Sequence, residues 1–368
     1  MNTDAHFMRR ALALAEQARG LTSPNPLVGA VVVSGGEIVG EGFHRAVGQP
    51  HAEVEALEVA GVKSRGGTLY VTLEPCMHHG RTPPCVPRVL AAGIARVVVA
   101  VSDANPLVAG GGIAALRAAG VEVTEGVMAE EARRQNRAFL HAMRAGRPHV
   151  TLKGAITLDG KIADVHGTSR WITGREARER AHRLRAECDA IVVGVETVRR
   201  DDPELTVRLD RPWPREPYRV VLDSRARMPV SARLLRVGTP ARVLVAVAAD
   251  APAPSIAALE ARGATVVRCP GPTGRIDPRR LLDELHRREV RAVLVEGGAE
   301  VHAAFLDAAL VDRVAVFVAP ALLGGRGAPS LVGGSGRTLK DRVALDDFEV
   351  TRLGPDVLLE ADVAGSRH

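Results

Sequence analysis

Aromatic side chains are scarce: Phe, Trp and Tyr make up 3% of the 368 residues. The cores must therefore be built from Val, Leu, Ile and Ala, and a chain so poor in stacking groups is badly suited to gripping unpaired bases. Cysteine is sparse as well. Cys76, Cys85, Cys188 and Cys269 are too few and too irregular for a disulfide framework, which points to a reducing compartment, the cytoplasm. No charged-then-apolar leader follows Met1, and no apolar run approaches the roughly 20 residues of a membrane span. Blocks of like charge are missing too. The formal net charge is +6, but the arginines are scattered, so solvated surface charge and a phosphorylated small substrate account for it better than nucleic acid. No Gly-x-Gly-x-x-Gly follows a strand-like run, which removes the Rossmann fingerprint.

What remains is an ordinary globular composition, 46% hydrophobic and 25% charged, at a length that predicts two domains. The chemistry concentrates between Pro50 and Cys85. The stretch opens Pro50-His51-Ala52-Glu53 and closes Glu74-Pro75-Cys76-Met77-His78-His79-Gly80-Arg81-Thr82-Pro83-Pro84-Cys85. His51, Cys76 and Cys85 supply three ligands to Zn2+ and leave the fourth tetrahedral position for water, as a catalytic site requires. Glu53, two residues after the histidine, is placed to move that water's protons. His-x-Glu followed by Pro-Cys and a second Cys is the signature of zinc-dependent base deaminases.

The usual second half of that signature is Cys-x-x-Cys, whereas these cysteines lie nine positions apart. A strand-to-helix loop still brings them together, and Pro83-Pro84 stiffens the insert. His78 and His79 are alternative ligands, less favoured because His51 and two thiolates already form a tridentate set. With Arg81 and Thr82 they suit contacts to a polar, phosphorylated substrate.

Around this stretch the first half reads as a mixed run of helices and strands, a sheet with helices on both faces. Apolar spacing predicts a helix over 4–19, strands over 27–33 and 37–43 joined by Ser34-Gly35-Gly36, a helix from His51, and a strand over 68–73. A helix after Cys85, strands over 96–101 and 121–124, a helix between them and one long helix over 127–145 follow. Asn25, in Ser23-Pro24-Asn25-Pro26, can pair with a heterocycle's polar edge; His44 at a strand end reads as structural. Gly146-Arg147-Pro148 is a linker, giving domains 1–146 and 147–368.

In the second half, strands are expected over 149–158, 189–193, 218–222, 243–247, 265–268, 290–295 and 314–318, with helices over 174–186, 254–262 and 278–288. Residues 194–203 leave the C-terminal end of a strand, the edge where α/β sheets bind ligands. In Glu296-Gly297-Gly298 a strand enters a glycine pair and then a helix, which lets a phosphate approach the helix N-terminus. Glu296 can hold a substrate amine or hydroxyl. Trp171, just before a helix, reads equally as core packing or as the wall of a cofactor or substrate site.

Pro50-His51-Ala52-Glu53, Leu73-Glu74-Pro75-Cys76, the His78-to-Cys85 segment and Asp103-Ala104-Asn105-Pro106 resemble the bifunctional riboflavin-biosynthesis deaminase/reductases. The Gly-Arg-Thr-Pro-Pro insert separates that group from cytidine and tRNA-adenosine deaminases, and the resemblance covers nearly the whole chain. It implies an α/β protein, a cytidine-deaminase-like three-layer domain followed by a dihydrofolate-reductase-like α/β domain that uses NADPH. It implies cofactor positions at Ala155, Trp171, Thr197, Asp201, Ser224 and Gly298, and substrate positions at Ser169, Arg185, Leu205 and Arg208. Two arginines and a hydroxyl make a reasonable phosphate cradle. The implied partner is a phosphorylated pyrimidine, with no nucleic acid and no membrane, and the family is compatible with a homo-oligomer. The family pattern usually has His at Glu55, Cys near Ala30, and Ser at Met77 and Thr157. Two rivals remain: a nucleic-acid base deaminase, which needs a stacking platform or a basic groove, and a structural zinc module, which needs a closed four-ligand site.

Overall fold

The computed structural model describes residues 3–79, 82–105, 108–239, 242–272 and 274–365. The chain divides into two compact units, Met1–Gly146 and Arg147–His368.

The first unit starts with α1 (Thr3–Glu16), whose apolar face buries Phe7, Met8, Ala11, Leu12 and Leu14. Strands β1 (Gly29–Ser34) and β2 (Glu37–Phe43) form an antiparallel hairpin. Its turn uses Gly35 and Gly36 at φ of +59° and +84°, the left-handed pair that matches strand twist. Then come α2 (Ala52–Ala60), β3 (Thr68–Val71), α3 (Cys85–Ala91), β4 (Arg96–Val99), α4 (Gly111–Ala118), β5 (Glu122–Glu125), α5 (Ala129–Gln135) and α6 (Arg137–Ala145). The sheet order is β2-β1-β3-β4-β5, with β3, β4 and β5 parallel.

Alternation along β1 divides its residues between two cores. Ala30 and Val32 join α2, α3 and α4 on one face, while Val31 and Val33 join α1 and the last two helices on the other. This is the three-layer arrangement expected.

The single helix expected over 127–145 is two. Asn136 interrupts it at φ −102°, ψ 18°. Its buried amide accepts from Leu27 N and donates to Leu27 O, both at 2.8 Å, so tertiary hydrogen bonds to a remote loop outweigh local helix propensity.

The second unit contains β6 (His149–Thr157), α7 (Arg175–Glu187), β7 (Ala190–Gly194), α8 (Val195–Asp201), β8 (Tyr218–Leu222), β9 (Val243–Val247), α9 (Ala253–Glu260), β10 (Thr265–Arg268), α10 (Pro278–Arg287), β11 (Ala292–Gly297), α11 (Ala299–Asp307), β12 (Arg313–Ala319), β13 (Leu345–Leu353) and β14 (Asp356–Val363). The nine-stranded order is β10-β9-β8-β7-β11-β6-β12-β14-β13. Strands β10 through β12 in that order pair in parallel and β14 pairs antiparallel on both sides. Because helices cover both faces, the central strands read as unbroken apolar runs such as Ala190-Ile191-Val192-Val193. No helix among the described residues is long and apolar enough to cross a membrane.

Candidate active sites of the two units

In the first unit, His51 is the N-cap of α2 and Glu53 lies in its first turn. Cys76 follows β3, and Cys85 is the first residue of α3. The backbone N–H groups of Cys85 and Val86 both donate to Cys76 O, at 3.1 and 3.2 Å, so the nine-position gap closes on itself at the helix start. One donor atom from each of His51, Cys76 and Cys85 falls within 4.8 Å of the others. Zinc–ligand bonds of about 2.0–2.3 Å fit such a spread. The donor set itself, one imidazole and two sulfurs, suits zinc. His51 Nδ1 is the nitrogen that faces the sulfurs, 3.2 Å from Cys85 Sγ and 3.6 Å from Cys76 Sγ. The alternative ligands stay outside this cluster, and His78 Nδ1 is buried without a hydrogen-bond partner.

Cys85 donates to Cys76, which draws Cys76 down to about 4 and pushes Cys85 up, and the same anion raises His51. Glu53 is 3% exposed, its carboxyl in hydrogen-bonding reach of Cys85, and burial raises its pKa. A carboxyl that is desolvated and poised against the ligand cluster is the arrangement proton shuttling needs.

The surrounding residues are held in a directed chain. His44 Nδ1 lies 3.0 Å from Pro50 O, an acceptor, so that nitrogen carries the proton. His44 Nε2 then accepts from Asn25 Nδ2 at 3.0 Å. Asn25 and His44 are thus fixed beside His51, whose ring packs edge-on against His44 with centroids 5.4 Å apart. Glu74, 4% exposed, gathers four backbone amides: Gly112 and Ile113 on one oxygen at 3.0 and 3.1 Å, Gly110 and Asp103 on the other at 3.0 and 3.2 Å. It ties the α4 entry to the segment leading into Cys76. In the sequence Asp103 stands out only as part of the Asp103-Ala104-Asn105-Pro106 segment that carries the resemblance. Burial, with Glu74 and Cys76 nearby, pushes its carboxyl up to about 6. Arg81 and Pro106, both within the quoted motifs, lie outside the described residues.

In the second unit, Ala155, Thr197, Asp201, Ser224 and Gly298 come from the C-terminal parts of adjacent parallel strands or the segments just beyond them. Thr197 and Gly298 meet: a Cβ at Gly298 would lie 3.8 Å from Thr197 Oγ1. Ser169 Oγ sits 3.4 Å from Asp201, and both line an open cavity of ≈ 810 Å³ with Arg170, Arg200 and His166. Trp171 is 68% exposed and carries the Arg178 guanidinium 4.6 Å from its ring centroid, so it is not a core side chain. Leu205 is buried at a φ of +52°.

Both arginines of the expected phosphate cradle have carboxylate partners in the second unit. Arg185 grips Glu296 with two hydrogen bonds, 2.6 and 2.8 Å, and Thr206 O with a third at 3.1 Å. Arg208 pairs with Glu204 at 2.8 Å. The spacing of charges in sequence gives no sign that the Glu296 carboxylate, at the end of β11, meets α7. Sequence reading also missed Lys153. It sits two residues before Ala155 on β6 and so shares its face. Desolvation lowers its pKa, with Glu296 opposing and Arg185 adding to the shift.

His182, in the same cluster, is pushed down to about 4 by desolvation first, then by Arg185 and Arg208. Glu296 is held at about 2, its desolvation outweighed by Arg185. The unfolded histidine takes its proton near 6.5 and the folded one only near 4, so stability is full above 6.5 and falls across that window. The Glu296 contribution is present above 4.5 and disappears as pH falls to about 2. Both tryptophans, Trp171 and Trp213, lie in this unit, so their fluorescence reports on it selectively. The urea midpoint by tryptophan emission is expected to drop between pH 7 and 4.5; a flat midpoint would contradict a half-buried histidine held neutral.

Residues 1–101 match the cytidine and deoxycytidylate deaminase zinc-binding region, and residues 148–359 match the RibD C-terminal domain. Together with the two sites, these matches define an enzyme that joins a zinc-binding deaminase domain to a reductase domain. The riboflavin biosynthesis protein RibD of Aquifex aeolicus is 43% identical over 97% of each chain. That of Escherichia coli K12 is 42% identical over 97% of this chain and 98% of the relative. Acinetobacter baumannii RibD superposes with a TM-score of 0.89 at 38% identity, covering 98% of this chain and 99% of the other. A Thermotoga maritima diaminohydroxyphosphoribosylaminopyrimidine deaminase/5-amino-6-(5-phosphoribosylamino)uracil reductase gives 0.85 at 36%, with the same coverage. The chain belongs to the RibD family of riboflavin biosynthesis proteins.

Proposed function

We propose that the chain performs two successive reactions in the cytoplasm. The first is hydrolytic deamination of 2,5-diamino-6-ribosylamino-4(3H)-pyrimidinone 5′-phosphate. The second reduces the ribosyl group to ribityl, giving 5-amino-6-ribitylamino-uracil 5′-phosphate. The observation that carries this reading is the convergence of His51 Nδ1, two sulfurs and the buried Glu53 at one point.

His51, Cys76 and Cys85 hold zinc, which when bound supplies the Lewis acidity that makes water nucleophilic near neutral pH. Glu53 takes a proton from the attacking water and returns it to the departing amine, whose ring carbon becomes a carbonyl. The Asn25–His44 pair and Asp103 supply polar groups for the pyrimidine edge. In the second unit, NADPH supplies the hydride when bound; Ala155, Trp171, Thr197, Asp201, Ser224 and Gly298 orient it. Ser169, Leu205 and Arg208 face the phosphorylated substrate. The Arg185–Glu296 pair fixes the carboxylate that holds a ribosyl hydroxyl, and Lys153 supplies a proton as the ring-opened sugar is reduced.

A nucleic-acid substrate is disfavoured. Among the described residues, the exposed large hydrophobic side chains include only two aromatics, Trp171 and Phe348, both in the second unit. The direct test is incubation with the diaminopyrimidine phosphate, with and without NADPH. Ammonia is expected in both, and the ribityl product mass only with NADPH. NADPH oxidation without prior ammonia release would reverse the proposed order.

A further inference from the structure

We propose that Thr82 is the positioning residue for the zinc-binding imidazole, and that the long Cys76–Cys85 insert serves to deliver it. The inference rests on the reading of His51, Cys76 and Cys85 as zinc ligands and deepens it. A ligand nitrogen must present a bare lone pair. His51 Nδ1 faces both sulfurs, at 3.2 and 3.6 Å, so the ring proton of the loaded site must sit on Nε2. Nε2 lies 3.0 Å from Thr82 Oγ1, a hydroxyl oxygen with lone pairs to accept that N–H. Such a bond fixes both the tautomer and the rotation of a ligating ring.

Among the described residues, nothing else does so. His51 makes no side-chain capping bond to its own helix. The neighbouring His44 ring uses its nitrogens on Pro50 O and Asn25, so it offers an apolar edge but no acceptor. Among the described residues, Thr82 is the hydrogen-bond partner of His51 Nε2. The insert explains how a residue reaches that point. Cys76 O is closed onto the amides of Cys85 and Val86, so both ends of the loop are pinned together. A two-residue gap would meet the same amides with no residue spare to cross the imidazole. In this longer segment Thr82 meets the ring, and Pro83 and Pro84, whose fixed φ narrows the paths the chain can take, lead from it to Cys85.

The test is zinc affinity of the full-length protein, measured by competition with a chromophoric chelator after stripping and reloading. Thr82→Val, which keeps the branched shape and removes the acceptor, is expected to weaken zinc binding by about 10- to 100-fold. Thr82→Ser, which keeps the hydroxyl, is expected to stay close to wild type. Far-ultraviolet circular dichroism of the full-length chain and limited proteolysis of the first unit check that each variant is folded, and Thr82→Ala replaces the valine variant should that one fail to fold. Equal affinity of the wild type and the hydroxyl-free variants would overturn the proposal. So would equal losses in the serine and valine variants, which would assign the effect to loop packing. A wild-type chain that takes up no stoichiometric zinc would instead overturn the ligand assignment beneath it.

Discussion

Glu53→Gln is expected to lower ammonia release by about 10²- to 10⁴-fold, the usual contribution of a positioned general acid–base group. Glutamine matches the size of glutamate, so α2 keeps its packing and the ligands keep their places. What disappears is the ability to accept a proton from water and hand it to the leaving amine. Burial makes the loss hard to compensate, because Glu53 is 3% exposed and solvent cannot easily substitute for it. The measurement has three parts: ammonia production, zinc content by elemental analysis, and NADPH oxidation on pre-deaminated substrate. Only the first is expected to fall. An activity above a tenth of wild type, with zinc retained, would remove Glu53 from the mechanism.

The second large effect is a contrast between two substitutions in the reductase cluster. Glu296 and Arg185 are 8% and 15% exposed as side chains and joined by a bidentate contact. Glu296→Gln leaves Arg185 and Lys153 as neighbouring cations without their counter-charge. Breaking a buried pair in this way typically costs about 3–5 kcal/mol, so both stability and reduction are expected to be lost. Lys153→Met removes the surplus cation and leaves Arg185–Glu296 balanced. That variant is expected to be as stable as wild type or more so, while reduction is lost, since functional sites often hold charges that stability does not want. Urea midpoints by tryptophan emission and NADPH oxidation rates separate the two. A destabilised Lys153→Met, or one that still reduces substrate, would show that the lysine is a structural partner of Glu296.

The zinc site was legible because its grammar is local. His51 and Glu53 share one helix start, and Cys76 and Cys85 share one strand-to-helix loop, so spacing alone gathers them. The sheets were legible for a similar reason: runs such as 190–193 and 243–247 are apolar without interruption, and Gly35-Gly36 marks its own hairpin. Long-range polar pairing was not legible. Asn136 breaks a helix because it meets Leu27, 109 positions away. Glu296 pairs with Arg185, 111 positions away, a partnership that no local spacing announces. Lys153 was hidden inside a strand and Asp103 inside a short family motif, each surrounded by groups that no window of sequence contains.

The hairpin strand beneath α2 has a consequence for how this enzyme tolerates change. A Cβ at Gly40 would lie 2.2 Å from Ala56 O, and one at Gly42 would lie 2.6 Å from Ala52 O. Helix and strand therefore touch backbone to backbone, with no side chain between them to act as a compressible shim. His51 and Glu53 sit at the start of that helix, whereas Cys76 and Cys85 belong to the segment from β3 into α3. Any larger residue at Gly40 or Gly42 would lift one half of the site off the other, and a misplacement of about 1 Å can cost around 100-fold in rate. The clearance of the deaminase is set by two positions that take no part in its chemistry.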